Sequence, residues 1–459
     1  MDEKVALRYH FFMREKILHL DFSYKILAFL IFAGLFFSLF HSFYFKIPPQ
    51  VDARAYHNIA KNIISGNGYR EDFSLPPEKD LAIMRVGPGY ELFLAGIYKI
   101  FGPHYQIIWV FQAIFHALTA FLIFLISREI FQKPEGVLIG LFSALFVAFS
   151  PDLILASSML LAENLAIFLL VLSIYFLFKY LNRPTYSNFT FSSLFLILAI
   201  LTRSQFIFIT PLFLLIFKKE WKKIFIFILL FILIFSPWFI RNYKTYGIFL
   251  PFNAAAGYNL WNGNHLGASG EMEIDYQPMI EFAKNHTPLE LHQKGVAEFK
   301  QFLASHPFEF LKITLRRLSI FFSLSRPTGF WPGFSIVQQM ITAFFSFIYS
   351  IFIFILGFSG MIWAFKKFAG EDKKKILLLA LFAFSIPFSV MFLVVETRYR
   401  YPIYPFLAIF SGIALVALRE IWNKNLKIFL LPLLIFFLNA ILDFGLNFTK
   451  FWDKLKILF

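Results

Sequence analysis

Long apolar runs separated by short basic segments dominate this chain. The first run extends from Tyr24 to Phe45, and later ones include 105–126, 164–180 and 426–446. Each is close to the roughly 20 residues that an α-helix needs to cross the hydrocarbon layer of a bilayer. The pattern predicts an all-α, polytopic membrane protein.

The basic residues between these runs predict the orientation of the helices. Lys4 and Arg8, among others, precede the first run, so the positive-inside rule places the N-terminus in the cytoplasm. Alternating crossings then give about 11 transmembrane helices and two large extracytoplasmic loops, 46–104 and 241–333. Because no internal repeat or independent soluble domain is visible, we predict a single membrane domain over 1–459.

One apolar region, 189–217, is interrupted by the polar sequence Thr202, Arg203, Ser204 and Gln205. Basic residues flank both of its ends, so an even number of crossings is needed. This favours a hairpin of two short helices with Arg203 near the outer tip. One long tilted helix is the alternative, but it breaks the alternation of charge.

Each large loop is predicted to carry a short helix near the membrane surface. In the first loop a helix follows Asp52 and continues through Ile64. In the second loop, 307–325 is amphipathic and contains Arg316 and Arg317, which is typical of a helix lying on the interface.

Composition supports the membrane assignment and argues against nucleic-acid binding and against a dedicated metal site. The chain is 59% hydrophobic and only 15% charged, which is too much apolar surface for one soluble core. Its net charge of +15 lies mostly in the short basic segments, which argues against nucleic acid as a partner. There is no cysteine, and the histidines lack ligand spacing, so neither a metal site nor a required cofactor is predicted. Carboxylates remain able to hold a divalent cation.

Carboxylates near the predicted outer surface are candidates for catalysis. Asp52 can serve as the general base for an acceptor hydroxyl, and it equally fits a cap for a helix beginning at Ala53. Glu163 borders apolar sequence, and facing lipid would cost it at least about 2.5 kcal/mol. Glu163 therefore either points into a polar cavity or stands at the start of a helix with its carboxylate in water. Asp152 lies in the same short external stretch.

Four arginines are predicted at the same membrane edge: Arg203, Arg241, Arg398 and Arg400. A guanidinium group can bind phosphate oxygens through two parallel hydrogen bonds, although any single arginine here also fits interfacial anchoring. With the carboxylates they suit glycosyl transfer from a sugar phosphate, because phosphate leaves without a general acid and cations stabilise its charge. One catalytic carboxylate predicts inversion at the anomeric carbon.

Short motifs across most of the chain resemble one family, the GT-C class of membrane glycosyltransferases. The similarity is to its protein O-mannosyltransferase-like branch, which includes the aminoarabinose transferases of lipid A. The motifs are Asp52, Tyr56 and Ala60 with Gly66, Gly68 and Tyr69; Arg85, Gly87, Pro88, Gly89 and Tyr90 with Phe101 and Gly102; Ala162, Glu163 and Asn164; Leu201, Thr202 and Arg203; Pro237, Trp238, Arg241 and Asn242 with Gly257, Asn259, Leu260, Gly263 and Asn264; and Arg398, Tyr399, Arg400 and Pro402.

This resemblance implies that Asp52 is the catalytic carboxylate, with Glu163 as a second candidate. It also implies a sugar donor on a polyprenyl phosphate, an extracytoplasmic acceptor and a bacterial or archaeal plasma membrane. Residues expected around the substrate cavity are Tyr56, Arg85, Tyr90, Asp152, Asn259, Asn264 and Tyr399. Ala53 follows Asp52, so the adjacent Asp-Glu pair of the eukaryotic mannosyltransferases is missing, and this argues against protein mannosylation.

Two other classes of function remain open at this point. A lipid or sugar transporter also places polar groups between helices, but transporters usually show two related halves, and no repeat is visible. The second class is a non-catalytic assembly subunit, in which Asp52 could be replaced without chemical consequence.

Overall fold

The computed structural model describes residues 3–448 except 86, 133 and 329–332, together with Trp452, and it describes side chains from Phe22 onward. This part of the chain is helical and holds no strand, which confirms the all-α prediction. The basic side chains that precede the first span, and residues 329–332 of the second loop, lie outside the described part.

Three 3₁₀ segments, Leu81–Met84, Ser204–Ile209 and Thr397–Ile403, interrupt a succession of described α-helices. In chain order the α-helices are α1 (Glu3–Phe45), α2 (Asp52–Ile64), α3 (Pro88–Phe101), α4 (Tyr105–Ile130), α5 (Glu135–Ala148), α6 (Pro151–Ser157), α7 (Ala162–Asn182), α8 (Tyr186–Thr202), α9 (Thr210–Ile216), α10 (Trp221–Tyr246), α11 (Ala255–Gly263), α12 (Gln277–Asn285), α13 (Pro288–Ser305), α14 (Pro307–Phe321), α15 (Ile336–Lys367), α16 (Gly370–Val390), α17 (Tyr404–Val416), α18 (Leu418–Lys424) and α19 (Lys427–Leu446).

Seven described helical segments are long and apolar enough to cross a membrane, and the bent pair α5 and α6 would make eight. The seven are Phe22–Phe45, Tyr105–Ile130, Ala162–Asn182, Trp221–Tyr246, Ile336–Lys367, Thr397–Val416 and Lys427–Leu446. The other predicted crossings are also helical, but α8 and α9 are shorter and α16 begins with charged residues. The count of about 11 stays a prediction.

The apolar region 189–217 is broken where the sequence predicted. Helix α8 ends at Thr202, Arg203 is extended with φ −140° and ψ 105°, and a 3₁₀ segment leads into α9. Helix α8 packs along α7, which brings the C-terminal end of α8 next to the N-terminal end of α7. Arg203 therefore lies beside the first turn of α7.

Helix α17 forms the centre of the bundle. It packs on α5 and α15. In the apolar stretch of Thr397–Val416, which contains α17, 83% of the residues are buried, whereas the corresponding fraction is 22% in α10 and in α19. Gly360 of α15 lies against the backbone of Phe410, and Gly412 lies against the backbone of Ile139. Because small residues let membrane helices approach closely, these glycines allow α17 to be enclosed.

The segments 46–104 and 241–333, which the sequence predicts to be external, contact each other and the bundle. Gly89, at the start of α3, lies against the backbone of Thr202, so a side chain there would collide with the end of α8. The Ala254 N–H donates to the Ile83 carbonyl at 2.8 Å, which joins the second segment to the first. These contacts fix the loop that carries Arg85.

Arg317 of α14 is buried and holds the chain before the third 3₁₀ segment. Its Nη1 donates to the Met391 carbonyl at 2.9 Å, and its Nη2 donates to Asn264 Oδ1 at 3.0 Å and to the Gly263 carbonyl. The sequence predicts this arginine at the interface, but in the structure it points inward, where its two Nη atoms donate to these three oxygens. The Val395 N–H also donates to the Gly270 carbonyl, at 3.0 Å.

Candidate active site

Asp52 lies between two arginines from distant parts of the chain. Its Oδ2 is 2.9 Å from Arg398 Nη2, and its Oδ1 is 3.4 Å from Arg85 Nη1. Its side chain is 25% exposed, so a substrate can reach the carboxylate. Asp52 is the first residue of α2, Val51 is the N-cap, and no side chain caps the helix. The Asp52 carboxylate therefore pairs with the two arginines and does not act as a cap.

Burial raises the pKa of Asp52, but the charge of Arg398, its hydrogen bond and the charges of Arg85 and Arg203 outweigh burial and lower it below the usual value. The carboxylate is therefore ionised at neutral pH. An ionised carboxylate that is partly exposed can accept a proton from a bound hydroxyl.

Glu163, in the first turn of α7, is buried and pairs with the Arg203 guanidinium group. Arg398 Nε lies 3.8 Å from the same Glu163 oxygen. Only 2% of the Glu163 side chain is exposed, whereas that of Arg398 is 18% exposed. Glu163 therefore joins the two arginines from the buried side, while Arg398 also reaches Asp52.

The Tyr399 ring lies against both arginines. Its centroid is 5.4 Å from Arg203 Cζ and 5.8 Å from Arg398 Cζ, within the range of cation–π attraction. Tyr399 and Arg398 are neighbours in the third 3₁₀ segment, while Arg203 comes from the end of α8. The ring thus holds guanidinium groups from two elements side by side.

Two further carboxylates, which the sequence reasoning missed, complete the cluster. Glu71 Oε2 lies 2.5 Å from Arg85 Nη2, and Glu396 Oε2 lies 2.8 Å from Arg398 Nε. Four carboxylates therefore face three guanidinium groups. Glu396 stands two residues before Arg398, a spacing that could have indicated the pair, but nothing in the sequence points from Glu71 to Arg85.

Glu91 was also missed. Its side chain is fully buried in α3, and the Tyr69 hydroxyl donates to its Oε1 at 3.1 Å. Burial raises the pKa of Glu91 to about 8, so the group is mostly protonated at pH 7. A carboxyl group among the apolar residues that follow Tyr90 was the available signal.

Other predicted residues lie outside the contacts of this cluster. Arg241 is surrounded by the Tyr69, Trp238 and Tyr246 rings, each 5.3 to 5.4 Å from its Cζ, and it donates to the Tyr69 carbonyl at 3.0 Å. These contacts tie the first loop to the end of α10. A role for Arg241 in phosphate binding stays a prediction.

Arg400 and Asp152 belong to a second polar network inside the bundle. Arg400 donates to the Ser323 carbonyl at 3.1 Å and to Ser350 Oγ at 3.2 Å. Asp152 accepts from Ser346 Oγ at 2.6 Å and from the Tyr404 hydroxyl at 2.8 Å. Both side chains are buried, so their contacts connect α6, α15 and α17.

The remaining predicted residues make other contacts. The Tyr56 and Tyr90 rings meet edge to face at 5.3 Å, and the Tyr90 hydroxyl donates to Gln112 Oε1 at 2.7 Å. Asn264 donates to the Phe392 carbonyl at 3.0 Å, and Asn259 is half-buried on α11. Their roles in a substrate cavity stay predictions.

No group of three or more His, Asp or Glu side chains suited to a metal ion occurs among the described residues. The Asp52 oxygens are paired with Arg398 and Arg85, so a divalent cation there would have to displace a guanidinium group.

Comparisons with known proteins agree with this architecture. Residues 85–240 match the family described as dolichyl-phosphate-mannose-protein mannosyltransferase. A search of curated protein sequences finds no match. The fold is similar to that of ArnT from Cupriavidus metallidurans, solved with undecaprenyl phosphate, at a TM-score of 0.53 and 13% identity over 87% of this chain and 62% of that one.

The fold is also similar to the oligosaccharyltransferase of Archaeoglobus fulgidus in its apo form. The TM-score is 0.50 and the identity 14%, over 91% of this chain and 54% of that one. The chain thus spans less than two thirds of the length of either structure. The apolar helices and these similarities make it an integral membrane protein, and they confirm its resemblance to the GT-C class of membrane glycosyltransferases.

Proposed function

We propose that the protein is a glycosyltransferase that moves a sugar from a polyprenyl-phosphate donor to an acceptor outside the cytoplasm. The observation that carries the proposal is the position of Asp52, partly exposed and held between Arg398 and Arg85 where the first loop meets the bundle. The match of residues 85–240 to a family of mannosyltransferases supports the reaction type.

In the proposed reaction Asp52 takes the proton of the acceptor hydroxyl. The acceptor oxygen forms a bond to the anomeric carbon as the bond from that carbon to the phosphate oxygen breaks, and the phosphate leaves with the electron pair. Attack from the face opposite the phosphate inverts the anomeric carbon. The lowered pKa of Asp52 keeps the carboxylate ionised at neutral pH, and only the ionised form can accept the proton.

Arg398 and Arg203 are proposed to bind the donor phosphate. Both guanidinium groups lie beside Glu163 and the Tyr399 ring, so they are already oriented before the donor arrives. Such pre-oriented cations stabilise the negative charge that develops on the leaving phosphate. Glu163, buried beneath them, acts as a positioning residue and does not touch the substrate.

The ArnT structure with a similar fold was solved with undecaprenyl phosphate, which supports a polyprenyl phosphate as the donor carrier here. Positioning of the phosphate by arginines requires no further cofactor. The proposed location is the plasma membrane, with the N-terminus in the cytoplasm and the Asp52 end of the bundle on the opposite side.

The test is to identify the lipids that co-purify with the gently solubilised protein, by native mass spectrometry. We would compare the wild type with Arg398→Lys and with Arg326→Lys. Arg326 is a matched control because it also pairs with two carboxylates, Asp443 at 2.6 Å and Glu271, away from Asp52.

We expect a polyprenyl phosphate or its glycoside on the wild type and on Arg326→Lys, and its loss from Arg398→Lys. Lysine keeps the positive charge but cannot form two parallel hydrogen bonds to phosphate. Bulk phospholipid alone on all three proteins would overturn the proposal.

A further inference from the structure

Gln205 is half-buried at the start of the second 3₁₀ segment, two residues after Arg203. Arg203 Nη2 donates to Gln205 Oε1 at 3.4 Å. Because a guanidinium group can only donate, this contact fixes the orientation of the amide. The oxygen of Gln205 faces Arg203, and the NH₂ group points away from it.

The Gln205 amide nitrogen is buried and has no hydrogen-bond partner among the described residues. Buried N–H groups are nearly always paired, and leaving one without a partner is unfavourable. The two N–H groups of this amide are therefore unused in the absence of a ligand.

The surroundings of Gln205 indicate what that acceptor is. Arg203 pairs with Glu163, Glu163 lies next to Arg398, and Arg398 reaches Asp52, so Gln205 contacts the arginine at one end of a continuous chain of charged groups. Next to a guanidinium group, an anionic oxygen is favoured over a neutral one.

We propose that the Gln205 amide nitrogen donates a hydrogen bond to an anionic oxygen of the donor phosphate, on the Arg203 side of the site. This inference rests on the proposed function and adds to it an uncharged hydrogen-bond donor. An amide N–H next to Arg203 binds the phosphate without adding positive charge to the cluster, and it does not compete with Arg203 for Glu163.

The experiment measures the affinity of the purified protein in detergent for undecaprenyl phosphate. Gln205→Met keeps the length of the side chain and removes the donors, and Gln106→Met is the control because Gln106 is exposed at the start of α4. Gln205→Glu is a second variant that keeps an oxygen for Arg203 but carries no NH₂ group. Thermal melting of each variant checks that it is folded.

We expect about a tenfold or larger loss of affinity for Gln205→Met, as for other hydrogen bonds to charged groups, and no change for Gln106→Met. Gln205→Glu should lose more, because its charge repels phosphate. If wild type and both Gln205 variants bind within twofold of each other, the amide does not contact phosphate and the inference is wrong. If the wild type itself does not bind undecaprenyl phosphate, both the inference and the proposed function are wrong.

Discussion

Arg398 connects Asp52 to Glu163: its Nη2 lies 2.9 Å from Asp52 Oδ2, and its Nε lies 3.8 Å from Glu163 Oε1. The partly exposed carboxylate and the buried one come from α2 and α7, which are far apart in the sequence. One side chain thus contacts both carboxylates, and the first three predictions below concern the groups around it.

The first prediction concerns the proposed base. Asp52→Asn keeps the shape of the side chain but cannot accept the acceptor proton, so the rate of sugar transfer should fall by about 100-fold or more. Transfer would be measured with a radiolabelled lipid-linked donor in membranes. Asp443→Asn is the control because it also breaks an Asp–Arg pair, with Arg326, away from the site. A loss of only a few percent in Asp52→Asn would exclude the role.

The second prediction concerns pH. The base acts in its ionised form, and the pKa of Asp52 is below the usual value, so transfer by the wild type should not fall between pH 7 and pH 5 through protonation of Asp52. The positive charge of Arg85 helps to lower that pKa. In Arg85→Gln the acidic limb of the rate profile should therefore move to higher pH.

The control for this profile is Lys79→Gln, which removes an exposed positive charge from the same loop. Its acidic limb should coincide with that of the wild type. An unchanged limb in Arg85→Gln would show that Arg85 does not influence the ionisation of the base.

The third prediction separates the ring of Tyr399 from its hydroxyl group. Tyr399→Phe keeps the aromatic face that contacts Arg203 and Arg398, so its kinetics should stay within a few-fold of the wild type. Tyr399→Leu removes that face, and the KM for the lipid donor should rise by about fivefold while kcat changes less. Equal effects in both variants would assign the role to the hydroxyl group.

The fourth prediction concerns stability. Glu91 has a pKa of about 8 in the folded protein and near 4.5 when unfolded, so its folded form binds more protons between these values. Its contribution to stability is complete below pH 4.5 and is lost as pH rises through 8. The melting temperature of the wild type should therefore fall between pH 5 and pH 8.5 more steeply than that of Glu91→Gln. Parallel curves from scanning fluorimetry would show that Glu91 is ionised in the folded protein.

The sequence predicted the helical class and the break at Arg203, because apolar run length and flanking charge report directly on membrane crossings. It could not settle the number of crossings, since α9 has seven residues and α16 begins with the charged Glu371 and Asp372. Length alone does not decide whether such helices cross the bilayer.

The alternation of crossings also placed Asp52, Glu163, Arg203 and Arg398 at one end of the bundle, and the structure brings them into contact. It could not distinguish Arg398 from Arg400, which are two residues apart in a 3₁₀ helix of about three residues per turn. Side chains at that spacing point in different directions, so one reaches Asp52 and the other reaches Ser350. Glu71 could not be found because its pairing with Arg85 depends on the path of the loop.

The sharing of Arg398 among Asp52, Glu163 and Glu396 also has an evolutionary consequence. A lineage that loses one of these carboxylates changes the charges around the other two, because all three lie next to the Arg398 guanidinium group. Positions 52, 163, 396 and 398 are therefore expected to covary as a unit among related sequences. A drift in substrate preference should leave correlated changes at these four positions even where the surrounding helices diverge freely.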